Sequence, residues 1–423
     1  MILDRSKAPE FNVPEDFELL PPMEFNLSNG AKFFFIPTPG IDAVKIDVIC
    51  KGHRASLPLN QTLVSSFTLQ MLQEGTTAKS AGEIAELFDF YASEVHPIVS
   101  YSHEGLGLLT TKKHLSAVLE VYISLFTEAT FPQDMLDKRK SQRKLSIQLE
   151  REKTASRASQ LHRKCLFGAN HPYGVEVEET HVDLIKREQL ISYYENLLWQ
   201  ECELFVTGNF DAEELESLRG KLGQIPIREA SESVLLPGIN TLLAVTEPKV
   251  KSVQSSIRIG SWSIPQTHPD FIGLTVFNTI LGGYFGSRLI KNIREDKGHT
   301  YGIFSSLAEI GVSNYWVIAA DVQKEFYPEV VKEIYHEIKL LTEVEIDADE
   351  LEVVRNYLIG QMLKQFGTSF DLIERFKAVH QSGMTFDYYA RKLAYLKEFT
   401  AKDMISIGQK YFSNPPFIEV IVG

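Results

Sequence analysis

The chain has 423 residues, of which 44% are hydrophobic and 23% are charged, and its formal net charge at pH 7 is −13. This composition is typical of a soluble globular protein and excludes the disordered and fibrous classes. The negative charge argues against nucleic acid or an anionic membrane surface as the main partner. A chain of this length exceeds one ordinary hydrophobic core, so two large domains are expected.

The N-terminal segment, residues 1–22, carries acids and prolines where a secretory signal peptide needs an apolar core. No later run approaches the length of a membrane span. We therefore expect a cytoplasmic protein without membrane contacts.

The three cysteines, Cys50, Cys165 and Cys202, stand far apart in apolar stretches and form no Cys-x-x-Cys motif. This pattern favours buried, reduced thiols over a disulfide framework or a thiolate zinc site.

The first half of the chain begins with a predicted strand and helix. Residues 44–52, VKIDVICKG, alternate apolar and polar side chains as a half-buried strand does. After a connection that contains a proline, residues 61–75 present an apolar helical side and end at a glycine. Long amphipathic helices follow, and residues 190–208 predict a helix leading into a strand.

The second half repeats this order of elements. Residues 252–260, SVQSSIRIG, alternate in the same way, and the next predicted helix again ends in glycine. Gly52 and Gly75 have the same separation as Gly260 and Gly283, which indicates an internal duplication. We predict two homologous α+β repeats, each a mixed, mostly antiparallel β-sheet with helices packed on one face. The predicted domains are residues 1–228 and 229–423.

Two segments carry a family resemblance in addition to the duplication. They are LFGANHPYG (166–174) and, above all, GGYFGSRLIKNIREDKGHTYGIFSS (282–306). With the duplication, they resemble the M16 or insulinase-like metallopeptidases, which include mitochondrial processing peptidase. The resemblance covers nearly the whole chain and implies the M16/LuxS-like metallohydrolase fold.

The zinc motif of that family is missing at the expected place. In the family, His-x-x-Glu-His lies on the helix that residues 65–77 occupy here, and alignment on MLQEGT puts Ser66 and Gln70 in the histidine slots and Leu69 in the slot of the general base. Leucine cannot accept a proton, and serine and glutamine amide are poor zinc ligands beside imidazole. The resemblance therefore implies that this chain binds no metal and that zinc belongs to a partner subunit.

A further zinc-ligating glutamate of the family falls near residues 146–152, where Glu150 is close but its register is open. Neither His-x-x-Glu-His nor His-Glu-x-x-His occurs elsewhere in the chain. A hidden site built from dispersed histidines is the alternative, although such histidines are more often surface or hydrogen-bonded residues. The candidates are His96, His103, His162 and His171.

The second half of the sequence contains a candidate pair of functional residues, an arginine and a tyrosine. The sequence predicts a helix that stops at a glycine and a strand from about Tyr301, with Arg294 on the last helical turn. By resemblance, Arg294 and Tyr301 are the family's Arg/Tyr pair, which supports the substrate and its oxyanion beside a zinc held by another half of the assembly. Alternatively, Arg294 caps the helix or pairs with Glu295 or Asp296, and Tyr301 lies in the core.

Three other features favour structural interpretations. The basic run 138–164 is interleaved with acids and leucines, which favours a solvated helix face over an anion-binding surface. No Gly-Lys-Ser/Thr follows the glycines at 282, 283 and 286, so they favour a tight turn and close helix packing over a phosphate loop. His299 is expected to be a partly exposed turn residue.

Three functions fit these observations. The first is a non-catalytic subunit of a heterodimeric M16-type zinc peptidase, inactive alone. It would dock onto a His-x-x-Glu-His subunit, form half of the chamber for an unfolded peptide, and supply Arg294 and Tyr301 to the partner's active site. The second is a scaffold or peptide-binding protein of the same fold without a peptidase role. The third is an independent hydrolase with an unrecognised site.

Overall fold

The computed structural model describes residue 6 and residues 19–229, 244–413 and 416–423. Within these ranges the strands are β1 (Met23–Asn26), β2 (Lys32–Pro37), β3 (Ala43–Lys51), β4 (Glu94–Val99), β5 (His103–Thr111), β6 (Glu203–Gly208), β7 (Ala244–Glu247), β8 (Gln254–Trp262), β9 (Thr300–Ile310), β10 (Ser313–Gln323) and β11 (Ile418–Val422).

The α-helices of the same ranges are α1 (Val64–Met71), α2 (Ala81–Phe90), α3 (Lys112–Thr127), α4 (Gln133–Glu152), α5 (Thr154–Phe167), α6 (Glu179–Asp183), α7 (Arg187–Asn196), α8 (Ala212–Leu222), α9 (Phe271–Asn278), α10 (Tyr327–Glu343), α11 (Ala348–Lys364), α12 (Ser369–Gln381), α13 (Asp387–Glu398) and α14 (Ala401–Phe412). Two segments, Thr279–Gly283 and Ile290–Asp296, are π-helical. Short 3₁₀ turns are Arg54–Ser56, Leu59–Gln61, Leu72–Glu74 and Lys324–Phe326.

The two sheets have the same topology. The first has the strand order β1-β2-β6-β3-β5-β4 and the second β7-β11-β8-β10-β9. Without β1, the orders correspond strand for strand. The parallel pair β2–β6 matches β7–β11, and the other neighbours are antiparallel in both sheets. The predicted pair of α+β repeats is confirmed. The boundary at 228/229 stays a prediction because residues 230–243 lie outside the described ranges.

Each sheet is covered on both faces, because each half lends one helix to the other. The first sheet packs one face on its own helices, while Phe34 and Phe205 on the opposite face meet Ile373 of α12. Reciprocally, α5 packs on β8 and β11 of the second sheet, where Leu161 and Val420 share a core. The sequence predicted that each sheet has helices on one face, and this holds for the helices that belong to the same half. The sequence did not predict that α12 covers the other face of the first sheet or that α5 covers the other face of the second.

The expectation of three reduced thiols is wrong for two cysteines. A disulfide joins Cys50 to Cys202, 152 positions apart, and Cys165 is free and buried. The antiparallel pairing of β3 with β6 aligns Ile49 with Glu203 and so brings the two sulfurs together. This long-range pairing leaves no trace in the local sequence pattern.

None of the helices in the described part of the chain combines the length and apolar character that a membrane span requires.

Candidate functional site

The three positions of the missing zinc motif lie on α1. One of their side chains is hydrogen-bonded to the backbone, one is buried in the core and one is exposed to solvent. The Ser66 hydroxyl donates to the Leu63 carbonyl oxygen at 3.0 Å, a contact within its own helix. Leu69 is completely buried in the first core. Gln70 is exposed. A neutral hydroxyl, an alkyl group and a carboxamide do not make a zinc donor set.

The nearby glutamate is engaged within α4. Arg143 and Ser146 donate to Glu150 at 2.8 and 2.7 Å. Although burial pulls the pKa of Glu150 upward, these hydrogen bonds hold it below its usual value. Glu150 is therefore an ionised carboxylate neutralised by its own helix.

Among the described residues, no group of three or more His, Cys, Asp and Glu side chains is arranged to hold a metal ion. The four histidines of the alternative site are accordingly not gathered into a cluster. The residues at the expected zinc position thus do not fit the metal.

A buried carboxylate that the sequence did not reveal lies behind α1. Glu104, on β5, accepts hydrogen bonds from Ser65 at 2.8 Å and Tyr193 at 2.6 Å, and from the backbone N–H of His53 at 3.2 Å. Burial raises the pKa of Glu104 in spite of these donors. The contacts tie α1 to β5 and α7, so we assign Glu104 a positioning role for the helix.

Arg294 and Tyr301 flank one reversal of the chain. The π-helical segment ends at Asp296, Gly298 takes the left-handed conformation with φ +66°, and β9 begins at Thr300. The backbone N–H of His299 donates to the carbonyl oxygen of Ile293 at 3.0 Å, which closes the reversal. The predicted helix–glycine–strand order is confirmed, with a π-helix in place of an α-helix.

The guanidinium of Arg294 lies over an aromatic ring. Its central carbon is 4.8 Å from the centroid of Phe285, a side chain that is 63% exposed. Within the described ranges, neither Glu295 nor Asp296 forms an ion pair with Arg294. A half-buried cation held by a ring keeps its donors for another molecule.

Tyr301 projects into solvent. It is 91% exposed, which excludes the alternative that places it in the core. The pairing of β9 with β10 shifts register between Ala320 and Val322, opposite Tyr301. Such a bulge redirects a side chain at the end of a strand. Tyr301 therefore stands at the free edge of the second sheet, since β9 is its outermost strand.

Close packing fixes the π-helical segments against β9. A Cβ atom on Gly282 would lie 2.8 Å from the backbone nitrogen of Ser305, so only glycine fits there. Asn278 and Ser305 exchange hydrogen bonds of 3.1 and 2.6 Å, and Trp316 donates to Ser305 at 2.7 Å. These contacts support the close-packing interpretation of the glycines.

An ion pair that the sequence did not reveal holds Arg288, which lies near the start of the segment that carries Arg294. Arg288 binds Glu350 of α11 through two hydrogen bonds of 3.0 and 2.8 Å, and both side chains are largely buried. Farther along, Asn292 donates to Glu337 of α10 at 2.6 Å. The segment that carries Arg294 is thus held from two neighbouring helices.

The remaining features have structural roles. The ring of His299 stacks on Phe326 with centroids 4.2 Å apart, as suits a turn residue. Acids neutralise much of the basic run on α4, which supports the solvated-face interpretation. The ion pairs are Arg139–Glu74, Arg143–Glu150, Lys144–Asp183 and Arg151–Glu178.

Comparison with known proteins identifies relatives over most of the chain. The family model described as "Peptidase M16 inactive domain" matches residues 185–358. "Uncharacterized zinc protease YmxG" of Bacillus subtilis (strain 168) is 24% identical over 347 residues, which are 80% of this chain and 83% of YmxG. "Probable inactive metalloprotease YmfF" of the same strain is 25% identical over 255 residues, 57% of either protein.

Solved structures share the fold. A peptidase M16 inactive domain from Pseudomonas fluorescens has a TM-score of 0.84 at 19% identity and covers 96% of this chain and 98% of that one. The periplasmic protease PqqL of Escherichia coli has a TM-score of 0.78 at 14% identity, and the match spans all of this chain but 49% of PqqL. The duplicated topology, the family model over residues 185–358 and these relatives agree in one respect: the chain is similar to proteins of the peptidase M16 family.

Proposed function

We propose that this chain is the non-catalytic subunit of a heterodimeric M16-type zinc peptidase. It docks onto a family member that carries His-x-x-Glu-His and zinc, and it forms half of the chamber that holds an unfolded peptide. Arg294 and Tyr301 are its contribution to the partner's active site.

The chemistry of the pair suits peptide hydrolysis. The Arg294 guanidinium is a fork of donors that can hold backbone carbonyl oxygens of a bound peptide. The Tyr301 hydroxyl can donate a hydrogen bond to the oxyanion that develops when water attacks the peptide carbonyl. Both groups lie at the mouth of one chain reversal, which the buried contacts of Ser305 and Arg288 stabilise.

The observation that carries the proposal is the contrast between the two halves. In the first half, Leu69 is buried in the core and Ser66 is bonded to its own helix. In the second half, Tyr301 is exposed and Arg294 has an aromatic ring as its neighbour. The second half therefore presents a hydroxyl and a guanidinium to other molecules, whereas the corresponding helix of the first half presents no zinc ligands.

Two comparisons support a two-part assembly. The relative YmfF is named an inactive metalloprotease, and PqqL, a protease about twice as long, contains one region equivalent to this chain. This chain together with a second chain of similar length would have about the length of PqqL.

A mixing experiment tests the proposal. The purified chain is combined with a His-x-x-Glu-His family member from the same organism, and cleavage of an internally quenched peptide is followed. We expect rapid cleavage from the mixture and little from either protein alone. Equal cleavage with and without this chain would contradict the proposal. A stable complex without any change in rate would instead favour the scaffold function.

A further inference from the structure

We propose that the Cys50–Cys202 disulfide is a thiol-exchange site whose oxidation state sets how firmly α12 of the second half binds the first sheet. A small thiol or dithiol is the reactant. The link between the two halves would then respond to the redox state of the surroundings. This site belongs to the first half of the chain, whereas Arg294 and Tyr301 belong to the second.

The disulfide closes the end of the pairing between β3 and β6. The last regular pair of these strands aligns Ile49 with Glu203, and the two cysteines come next. One residue farther the ladder is irregular, because the backbone N–H of Lys51 donates to Gln200 at 2.9 Å and Glu201 has φ +46°. The disulfide holds the strand ends together where regular hydrogen bonding ends, so its reduction should allow them to separate.

The residues next to the two cysteines bind α12. The carboxylate of Glu203, which follows one cysteine, contacts Nε2 of His380 at 2.9 and 3.0 Å. Ile49, which precedes the other cysteine, shares a core with Ile373 between the first sheet and α12. Separation of the strand ends would displace both contacts. Reduction of the disulfide should therefore loosen α12 on the first sheet.

The disulfide lies at an open cleft. The cleft has a volume of about 490 Å³, and both cysteines are among the residues that line it. Gln381, the last residue of α12, lines it as well, so the cleft lies where the two halves meet. Two lysines and two glutamates also line the cleft, so their charges balance and do not exclude a neutral thiol. A cleft of this size has room for a small molecule.

Thiol–disulfide exchange is the reaction that fits this site. A thiolate attacks the sulfur of Cys202, which is 4% exposed against 1% for Cys50, and the Cys50 sulfur leaves as a thiolate. A second thiolate, or the second sulfur of a dithiol, then attacks the bound reactant and releases Cys202. Two electrons pass to the protein, the reactant leaves as a disulfide, and the protons of the two reactant thiols go to the two cysteines. An oxidised disulfide reverses the reaction.

The rate of reduction tests whether a thiol reaches the disulfide in the folded chain. The oxidised chain is mixed with dithiothreitol at urea concentrations below the unfolding transition, and new thiols are trapped with N-ethylmaleimide and counted by mass spectrometry. Attack in the cleft predicts a rate that urea hardly changes. A rate that rises exponentially with urea, with the slope of global unfolding, would overturn the proposal, because only the unfolded chain would then react.

Hydrogen–deuterium exchange of backbone amides tests the effect on α12. The oxidised wild-type chain is compared with the chain reduced by dithiothreitol without denaturant. We expect exchange in α12 to become about tenfold faster on reduction. Exchange in α14, which packs on α9 and α10 of its own half, should stay the same. Equal exchange of α12 in the two states would overturn the link between the disulfide and this helix.

Two variants provide matched controls for that measurement. C165A removes the free, buried thiol and keeps the disulfide, so its α12 should respond to dithiothreitol as in the wild type. C50S/C202S has no disulfide, so its α12 should exchange about tenfold faster than in the oxidised wild type and ignore dithiothreitol. A response of C50S/C202S to dithiothreitol would overturn the proposal. Oxidised glutathione, added to the reduced wild type, should restore the slow exchange.

Discussion

Lys377 of the second half donates a 2.7 Å hydrogen bond to Asp47, whose side chain is 2% exposed in the first sheet. Glu374 joins the same cluster by accepting from Lys377 at 2.8 Å. The Lys45 ammonium lies 3.3 Å from the Asp47 carboxylate, so two lysines, Lys45 and Lys377, contact this carboxylate. This cluster holds α12 on the first sheet, so it links the two halves of the chain.

Removal of Lys377 should loosen that link. K377M leaves the buried Asp47 carboxylate with Lys45 as its remaining cation, and loss of one partner from a buried pair costs about 3 kcal/mol of unfolding free energy. Urea denaturation measures this change. The control is K339M, because Lys339 is 69% exposed and its carboxylate neighbour is 4.0 Å away. K339M should change stability by less than about 0.5 kcal/mol. Equal effects of the two variants would contradict the role given to the cluster.

Two glycines should respond to alanine in opposite directions. The Cβ of G282A would meet the backbone of Ser305 at 2.8 Å, so we expect a loss of about 1–3 kcal/mol. Gly360 lies on the exposed side of α11 with nothing within 4 Å of an added Cβ. G360A should therefore raise the free energy of unfolding by about 0.5–1 kcal/mol. Differential scanning calorimetry on the two variants gives the sign of each effect.

His162 should make the protein sensitive to mild acid. Burial, reinforced by Arg258 and Arg163, lowers the pKa of His162 from 6.5 to about 3. Below pH 6.5 the unfolded chain binds a proton that the folded chain does not. The free energy of unfolding therefore decreases as the pH is lowered from 6.5 to about 3. This group alone should cost about 2 kcal/mol between about pH 7.5 and about pH 5.

The variant H162Q isolates that contribution. Burial also lowers the pKa of His53 and of His103, so the wild-type profile contains more than one histidine. The difference between wild-type and H162Q stabilities, measured by urea denaturation across this pH range, removes the common terms. A difference that does not depend on pH would show that His162 is not buried in its neutral form.

The cysteine pairing has a direct chemical test. In denaturant without reductant, thiol titration should detect one thiol per chain, that of Cys165. Reductant should lower the free energy of unfolding of the wild type by about 3–4 kcal/mol, because the disulfide closes a long loop. A C50S/C202S variant should show no further change with reductant. Three titratable thiols in the oxidised protein would contradict the pairing.

Local signals predicted much of the fold. Strand alternation, glycine stops and the repeated order of elements indicated two α+β repeats, and the matching sheet orders confirm them. The end of the Arg294 segment was also predictable, because Gly298 is needed for a left-handed residue between helix and strand. These features depend on neighbours in the sequence.

Contacts between distant residues were not predictable in this way. Arg288 and Glu350 are 62 positions apart, and the two cysteines of the disulfide are 152 apart. The exchange of α5 and α12 between the halves requires both sheets to be in place. The ring of Phe285 under Arg294 depends on the π-helical turns between them, which no period of apolar residues indicates.

The most direct test of the central claim is the rate of peptide cleavage by the mixed subunits when this chain carries Y301F. The account predicts that kcat falls by about 100-fold with little change in KM, since the lost donor acts on the oxyanion of the transition state. Y91F, the same chemical change in the first half, should leave both constants at their wild-type values. An unchanged kcat for Y301F, in a mixture whose cleavage depends on this chain, would contradict the claim.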